Sequence, residues 1–270
     1  MSHPLVLDLP EKSSAHWGKL YGCANALAIA EQVKSSNQLT LVVTPTSAEA
    51  FNLEDALRFF ADDLTILSLP DWETLPYDLF SPHQEIVSQR LKILYQLPNI
   101  ESGVLVLPVS TLMQRLCPVS YINQQALIIK AGDELSMDDF RKKLANAGYR
   151  NVSEVSEHGE FAVRGSLFDL FPMASDKPYR IDYIDDEIDS IYQFDPATQI
   201  ADLQNPIERV EMLPAREFPM DEDAITRFRQ GFRQRFESSR ESPVYRGTVP
   251  LPCRNLPGNY MNAMNNVATT

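Results

Sequence analysis

Continuous apolar runs alternate with amphipathic segments of helical period through the first part of the chain. Leu39–Val43 (LTLVV), Leu64–Leu69 and Val104–Leu107 have the look of strands buried in a parallel sheet. Between them, Ala48, Phe51, Leu53, Ala56, Leu57 and Phe60 recur at the spacing of an amphipathic helix over Ser47–Phe60. Glu85–Leu97 repeats that period with Ile86, Leu91, Leu94 and Leu97 inward, and Pro70–Pro82 is a loop rich in aromatics and acids. An irregular lead-in, residues 1–16, precedes an Ala-rich helix over Leu20–Val33, and Ser110–Arg115 starts a short helix. Strands alternating with helices predict an α/β domain with a mostly parallel sheet.

From about Cys117 the pattern changes. Ala126–Lys130 is a short strand, and Ser136–Ala147 a helix with Ser136 as N-cap and Gly148 as stop. Glu160–Phe194 reads as two strands and a turn. Phe161, Val163 and Gly165 alternate with Ala162 and Arg164, Leu167–Phe171 continues as an apolar run broken by Asp169, and Pro172 stops it. After the polar turn, Tyr179, Ile181 and Tyr183 share one face, and Arg180, Asp182 and Ile184 the other. Ile188–Phe194 comes next, which makes an α+β module and a second small domain. Pro206–Leu213 looks like a strand returning to the first domain. Asp221–Phe236 is a helix with Ile225, Phe228, Phe232 and Phe236 on one face and arginines on the other. Beyond Tyr245 periodicity stops, and residues 246–270 read as a disordered tail.

Arg164 and Arg180 fall on polar positions of strands expected to pair. Both guanidinium groups then reach one outer face, where a planar, permanently charged fork suits a carboxylate partner. The alternative is a pair of solvated strand-face residues, matched with Asp182 or Asp186. The acids Asp182, Asp185, Asp186, Glu187 and Asp189 interleave with Ile184, Ile188 and Ile191, which describes a turn and strand with one wet face better than a metal site.

Net charge changes the range of partners. The 270 residues carry a formal charge of −13, a poor match to a nucleic-acid backbone, which needs a basic face. Cys23, Cys117 and Cys253 are far apart and form no CxxC, so neither a zinc site nor a disulfide framework is indicated, and a reducing cytoplasm fits. Neither a secretory leader nor an apolar run near the ~18 residues of a membrane helix is present. A phosphate-cradling loop, G-x-x-x-x-G-K-[S/T], fits only at Lys19–Ala26. There Gly22, Cys23, Ala24 and Asn25 supply one Gly but lack the second Gly, the Lys and the hydroxyl, so no nucleotide hydrolysis and no cofactor are expected. Cys117 with His158 is a conceivable nucleophile–base pair, although a buried free thiol explains the cysteine more simply.

Three stretches are more specific than any generic pattern. DWETLPYDLFSPHQEIVSQRLKILYQL (Asp71–Leu97) and GVLVLPVSTLMQRLCP (Gly103–Pro118) resemble the N-terminal part of bacterial transcription-repair coupling factors. RGSLFDLFPMASDKPYRIDYIDDEIDSI (Arg164–Ile191) resembles the second domain of that family and of the excision-repair helicase subunit UvrB. The resemblance covers about residues 1–245. It implies a degenerate, non-hydrolysing RecA-like α/β domain over 1–118, a small inserted α+β domain over 119–205 that contacts the damage-recognition subunit UvrA, and a return to the first domain over 206–245. The UvrB patterns F-R-V-R-G and I-R-V-E-F-F place the partner-binding residues at Arg164, Arg180, Asp182 and Ile184. This chain departs from them at Ala162, where UvrB has an arginine, and at Ile184, where it has an aromatic. In the family, an RNA-polymerase-binding domain and a DNA translocase motor lie downstream. A truncated or frame-shifted gene product, or a deliberately cut one, accounts for the change of character near Tyr245. The resemblance implies UvrA recruitment to stalled RNA polymerase, or alternatively a regulatory domain packing on the motor, with little or no direct nucleic-acid binding by this segment.

Overall fold

The structure, a computed structural model, describes residues 16–74, 81–219 and 222–235. Its helices are α1 (Ala24–Ser36), α2 (Ser47–Phe60), α3 (Gln84–Gln96), α4 (Val109–Leu112), α5 (Val119–Gln125), α6 (Met137–Asn146) and α7 (Glu222–Arg235). The strands are β1 (Leu39–Thr44), β2 (Ile66–Ser68), β3 (Gly103–Pro108), β4 (Leu127–Lys130), β5 (Arg150–Asn151), β6 (Glu160–Arg164), β7 (Leu167–Phe171), β8 (Tyr179–Ile184), β9 (Glu187–Phe194), β10 (Ala201–Pro206) and β11 (Arg209–Met212). The described residues divide into two compact units, one comprising 16–71 with 96–114, the other 72–74 and 81–95 with 115–219 and 222–235.

In the first unit, β3 lies between β1 and β2, and both pairings are parallel. Every residue of β3 is buried, as a central parallel strand requires. Ala26, Ala30 and Val33 of α1 and Ala50, Leu53 and Leu57 of α2 pack with Val104 and Val106 on one face. Thr46 caps α2 by accepting the amide of Glu49, and Glu49 in turn accepts the Thr46 hydroxyl, which fixes the start of the helix at Ser47. Helix α1 starts at Ala24, later than Leu20, because positive φ at Gly22 turns the chain there. The run Leu39–Val43 is a parallel strand but not a buried one. As an edge strand it leaves Leu41 51% and Val43 40% exposed on the face away from α1 and α2.

The second unit holds a six-stranded sheet in the order β10-β9-β8-β7-β6-β5, antiparallel except for β5 with β6. Glu160–Phe194 therefore makes four strands, not two strands and a turn. Gly165 adopts φ +64° and folds Arg164–Leu167 into a tight hairpin, and Asp185 does the same between β8 and β9. Phe140 of α6 packs at 4.7 Å on Phe168, which stacks on Phe161 at 5.5 Å, so α6 covers one sheet face. Ser136 caps α6 as expected, accepting the amide of Asp139. A smaller cluster of Val155, Ala162, Phe171 and Phe194 lies on the other face.

Two segments read from sequence as parts of the first domain pack in the second unit. Strand β11 pairs antiparallel with β4. Helix α3 buries Val87, Leu91 and Leu94, together with Arg90, whose guanidinium bonds Glu217 and lies 4.1 Å from the Trp72 ring. Helix α7 buries Ile225, Phe228 and Phe232, as its stripe predicted; Phe236 and residues 246–270 lie outside the described residues. No helix among the described residues is long and apolar enough to cross a membrane.

Candidate functional site

Arg164 ends β6 and Arg180 sits near the start of β8. These strands do not pair with each other; β7 runs between them. In the register of the three strands, Ala162, Asp169 and Arg180 lie opposite one another across β6, β7 and β8, and Arg164, Leu167 and Asp182 form the adjacent row. With a side-chain period of two, all of these project on the face opposite α6. Asp169 thus stands between the two arginines.

The Asp169 carboxylate, 1% exposed, accepts three charge-assisted bonds. Arg180 gives two in fork geometry, Nε to Oδ1 at 2.7 Å and Nη2 to Oδ2 at 2.9 Å, and Arg164 gives Nη2 to Oδ2 at 2.6 Å. These bonds hold Arg180 protonated against the opposing effect of its partial burial. Its guanidinium also lies 5.0 Å from the centre of the Phe194 ring. Gln199, at φ +60°, completes the frame. Its carbonyl accepts from Arg180 Nη1, its Oε1 accepts from Arg164 Nη2, and its Nε2 donates to the carbonyls of Val155 and Pro196.

Neither Asp182 nor Asp186 is therefore the partner of these arginines, because the rigid register of β7 brings Asp169 closer. Asp182 accepts the Ser166 hydroxyl at 3.2 Å. Ile184 is 61% exposed at the end of the same strand face. Ala162, the departure from the arginine of the UvrB pattern, is 1% exposed and packs in the apolar cluster beneath. The structure brings Arg164, Arg180, Asp182 and Ile184 to one face, with exposure rising from the side chain of Arg180 (18%) to that of Arg164 (47%).

Sequence reasoning missed Asp169 and Gln199. Asp169 carried a signal: a lone acid inside an apolar strand (LFDLF) is rarely buried without a cation beside it. Gln199 carried none, since its role depends on the turn after Asp195. That turn forms because Asp195 Oδ1 accepts the amides of Ala197 and Thr198 and the Thr198 hydroxyl.

The other candidate residues stand apart from this face. Gly22 and Cys23 make the turn into α1, Ala24 and Asn25 are its first residues, and Asn25 Oδ1 accepts the Ala26 amide. Cys117 is buried, which pushes its thiol well above the usual range, with the Glu217 carboxylate adding to the shift. His158 is engaged elsewhere, by the Glu85 carboxylate at 3.1 Å and the Ser175 carbonyl at 2.8 Å. Asp185 and Asp186 in the β8–β9 turn and Glu187 and Asp189 on β9 are exposed, and no cluster of potential metal ligands occurs among the described residues.

Residues 127–218, which contain the whole arginine face, match the family model of the UvrB interaction domain. The chain is 47% identical over 241 residues, 86% of its length, to the transcription-repair-coupling factor of Escherichia coli K12, and 48% identical over 240 residues, 88% of its length, to that of Haemophilus influenzae. The corresponding factor of Staphylococcus aureus is 30% identical over 217 residues, 80% of the chain. These matches span 20%, 21% and 18% of the relatives, so the chain covers about a fifth of their length.

Proposed function

We propose that this chain, which resembles the N-terminal UvrB-like region of transcription-repair-coupling factors, is a protein-docking module of transcription-coupled nucleotide excision repair. Its partner is UvrA, received on the face of the six-stranded sheet that carries Arg164, Arg180, Asp182 and Ile184. The supporting observation is the half-exposed Arg164 side chain held on a rigid base of Asp169, Arg180 and Gln199, on the sheet face that also carries exposed Ile184. A preorganised charged donor next to an apolar contact is the composition of a binding hot spot. Joined to a downstream motor, the module brings repair to stalled RNA polymerase; RNA polymerase and DNA are contacted by that downstream part, and the setting is cytoplasmic.

In this reading residues 1–118 open a degenerate RecA-like domain and the sheet-bearing region is its insert. The module is not an enzyme. The turn at Gly22–Asn25 offers neither a lysine nor a hydroxyl for phosphates, so ATP is expected to cause no thermal shift and to be hydrolysed at no measurable rate.

The deciding experiment is calorimetric titration of purified UvrA with the native chain and with Arg164→Ala/Arg180→Ala. Saturable binding is expected, weakened by about 2–5 kcal/mol in the double variant. Ile184→Ala should weaken binding while leaving stability within about 0.5 kcal/mol, since the side chain is exposed. No binding by the folded native chain would refute the reading.

The exposed apolar positions of the first unit favour a second, compatible role. Leu41 and Val43 on β1, with Val109 and Leu112 on α4, leave a parallel sheet partly uncovered, which suits packing on another polypeptide. A regulatory contact that holds the motor inactive predicts that this chain, added in trans, lowers the ATPase of a motor lacking it.

A further inference from the structure

The docking face contains two arginines, but they are not equivalent. Arg180 is enclosed: Asp169 takes its Nε and Nη2, the Gln199 carbonyl takes Nη1, Phe194 lies against the guanidinium, and only 18% of the side chain is exposed. Arg164 spends a single nitrogen inward. Its Nη2 serves both Asp169 and Gln199, while Nε and Nη1 make no hydrogen bond to the described residues, and the side chain is 47% exposed. Charge gives the same division. The trio of Arg164, Arg180 and Asp169 keeps one net positive charge, which resides at the outer edge of Arg164, while Asp182 on the same face accepts the Ser166 hydroxyl.

The long, flexible Arg164 side chain would ordinarily lose rotamer freedom on binding, which weakens any contact it makes. Asp169 removes that penalty in advance. It sits on the middle strand, cannot move without breaking the β6-β7-β8 register, and is fixed from its other side by the Arg180 fork. The Asp195 turn delivers Gln199 as a second brace on the same Arg164 nitrogen.

We propose, resting on the docking of UvrA at this face, that Asp169 is a positioning residue that aims Arg164, and that the outer Nε and Nη1 edge of Arg164 receives a single carboxylate of the partner. Arg180 acts as an internal brace and makes no primary contact. Asp169 itself touches no partner and works only through Arg164.

A mutant cycle on the full chain tests this, with purified UvrA as the probe and thermal unfolding recorded for every variant. Asp169→Asn keeps the volume and loses the charge. It is expected to weaken binding about tenfold or more in the native background and less than about twofold further once Arg164 is alanine, because coupled residues are non-additive. Equal losses in both backgrounds, or native affinity for Asp169→Asn, overturns the proposal: the first result means a general structural role, the second no role. Should Asp169→Asn not fold, Gln199→Ala carries the same cycle, since it removes the Oε1 brace on Arg164, along with the Nε2 bonds to Val155 and Pro196, and leaves the backbone carbonyl on Arg180. A loss seen with Arg164 present and absent without it supports the proposal; equal losses overturn it. Tight binding by Arg164→Ala, or none by the folded native chain, defeats the docking reading itself and the proposal with it.

Discussion

Replacing Glu217 by Gln should destabilise the second unit severely, whereas replacing Arg90 and Glu217 together by apolar residues of similar size should not. Both side chains are 0% exposed, with Arg90 Nε 2.8 Å from Glu217 Oε1. At that separation and an effective dielectric of about 20, the attraction is about 6 kcal/mol. Desolvation costs several kcal/mol for each ion, so the pair comes out near balance. Burial indeed pushes the Glu217 carboxyl above its usual range, with Arg90 pulling the other way. Glu217→Gln keeps the shape but removes the carboxylate charge bonded to a buried guanidinium, and the expected loss is about 3–5 kcal/mol. Arg90→Met with Glu217→Leu removes both charges and should lie within about 1 kcal/mol of native or above it. Urea unfolding followed by far-ultraviolet circular dichroism measures both, with an unchanged slope confirming that the same surface is exposed. A loss below about 1 kcal/mol for Glu217→Gln, or a double variant as damaged as the single one, would refute this balance of attraction and desolvation.

Other bonds lead to further expected outcomes. Tyr149 donates its hydroxyl to the Leu213 carbonyl at 2.7 Å and accepts the Met173 amide at 3.1 Å, so Tyr149→Phe strands two buried groups and should cost about 1–3 kcal/mol in the same assay. Gly103 has φ +144°, and a Cβ there would lie 2.4 Å from the Thr65 carbonyl oxygen, so Gly103→Ala should lower the unfolding midpoint of the first unit by the equivalent of at least about 1 kcal/mol. The Thr198 amide and hydroxyl, and then the Ala197 amide, hold the Asp195 carboxyl below its usual range. The turn's contribution is therefore present above the unfolded value of about 3.9 and is lost as pH falls through the lower folded value. Carboxyl-carbon NMR should show Asp195 titrating below an ordinary aspartate, and a normal midpoint would contradict these hydrogen bonds.

Local patterns survived into the structure where local physics governs them. The N-cap at Ser136, the helical stripe of Ile225, Phe228 and Phe232, and the alternation of Tyr179, Ile181 and Tyr183 are each set by neighbours within a few residues. Strand partners are different. Leu39–Val43 has the composition of a buried strand, yet its place at the sheet edge exposes one face. The run Leu167–Phe171 looks like a continuation of the strand before it, but Gly165 at positive φ turns it back as a separate strand.

The sequence by itself determined the alternation that makes the first part α/β, the missing phosphate-loop residues at Gly22–Asn25, and the motifs that mark the UvrB interaction domain. It also placed Arg164 and Arg180 on polar strand positions. Only the tertiary structure decided that β7 separates them and that Asp169 binds both. It likewise decided that α3 packs in the second unit, where Arg90, on the apolar face with Val87, Leu91 and Leu94, meets Glu217. The physical reason is that faces and turns depend on nearby covalent spacing, whereas a buried charge finds its partner through strand order and packing between residues far apart in the chain.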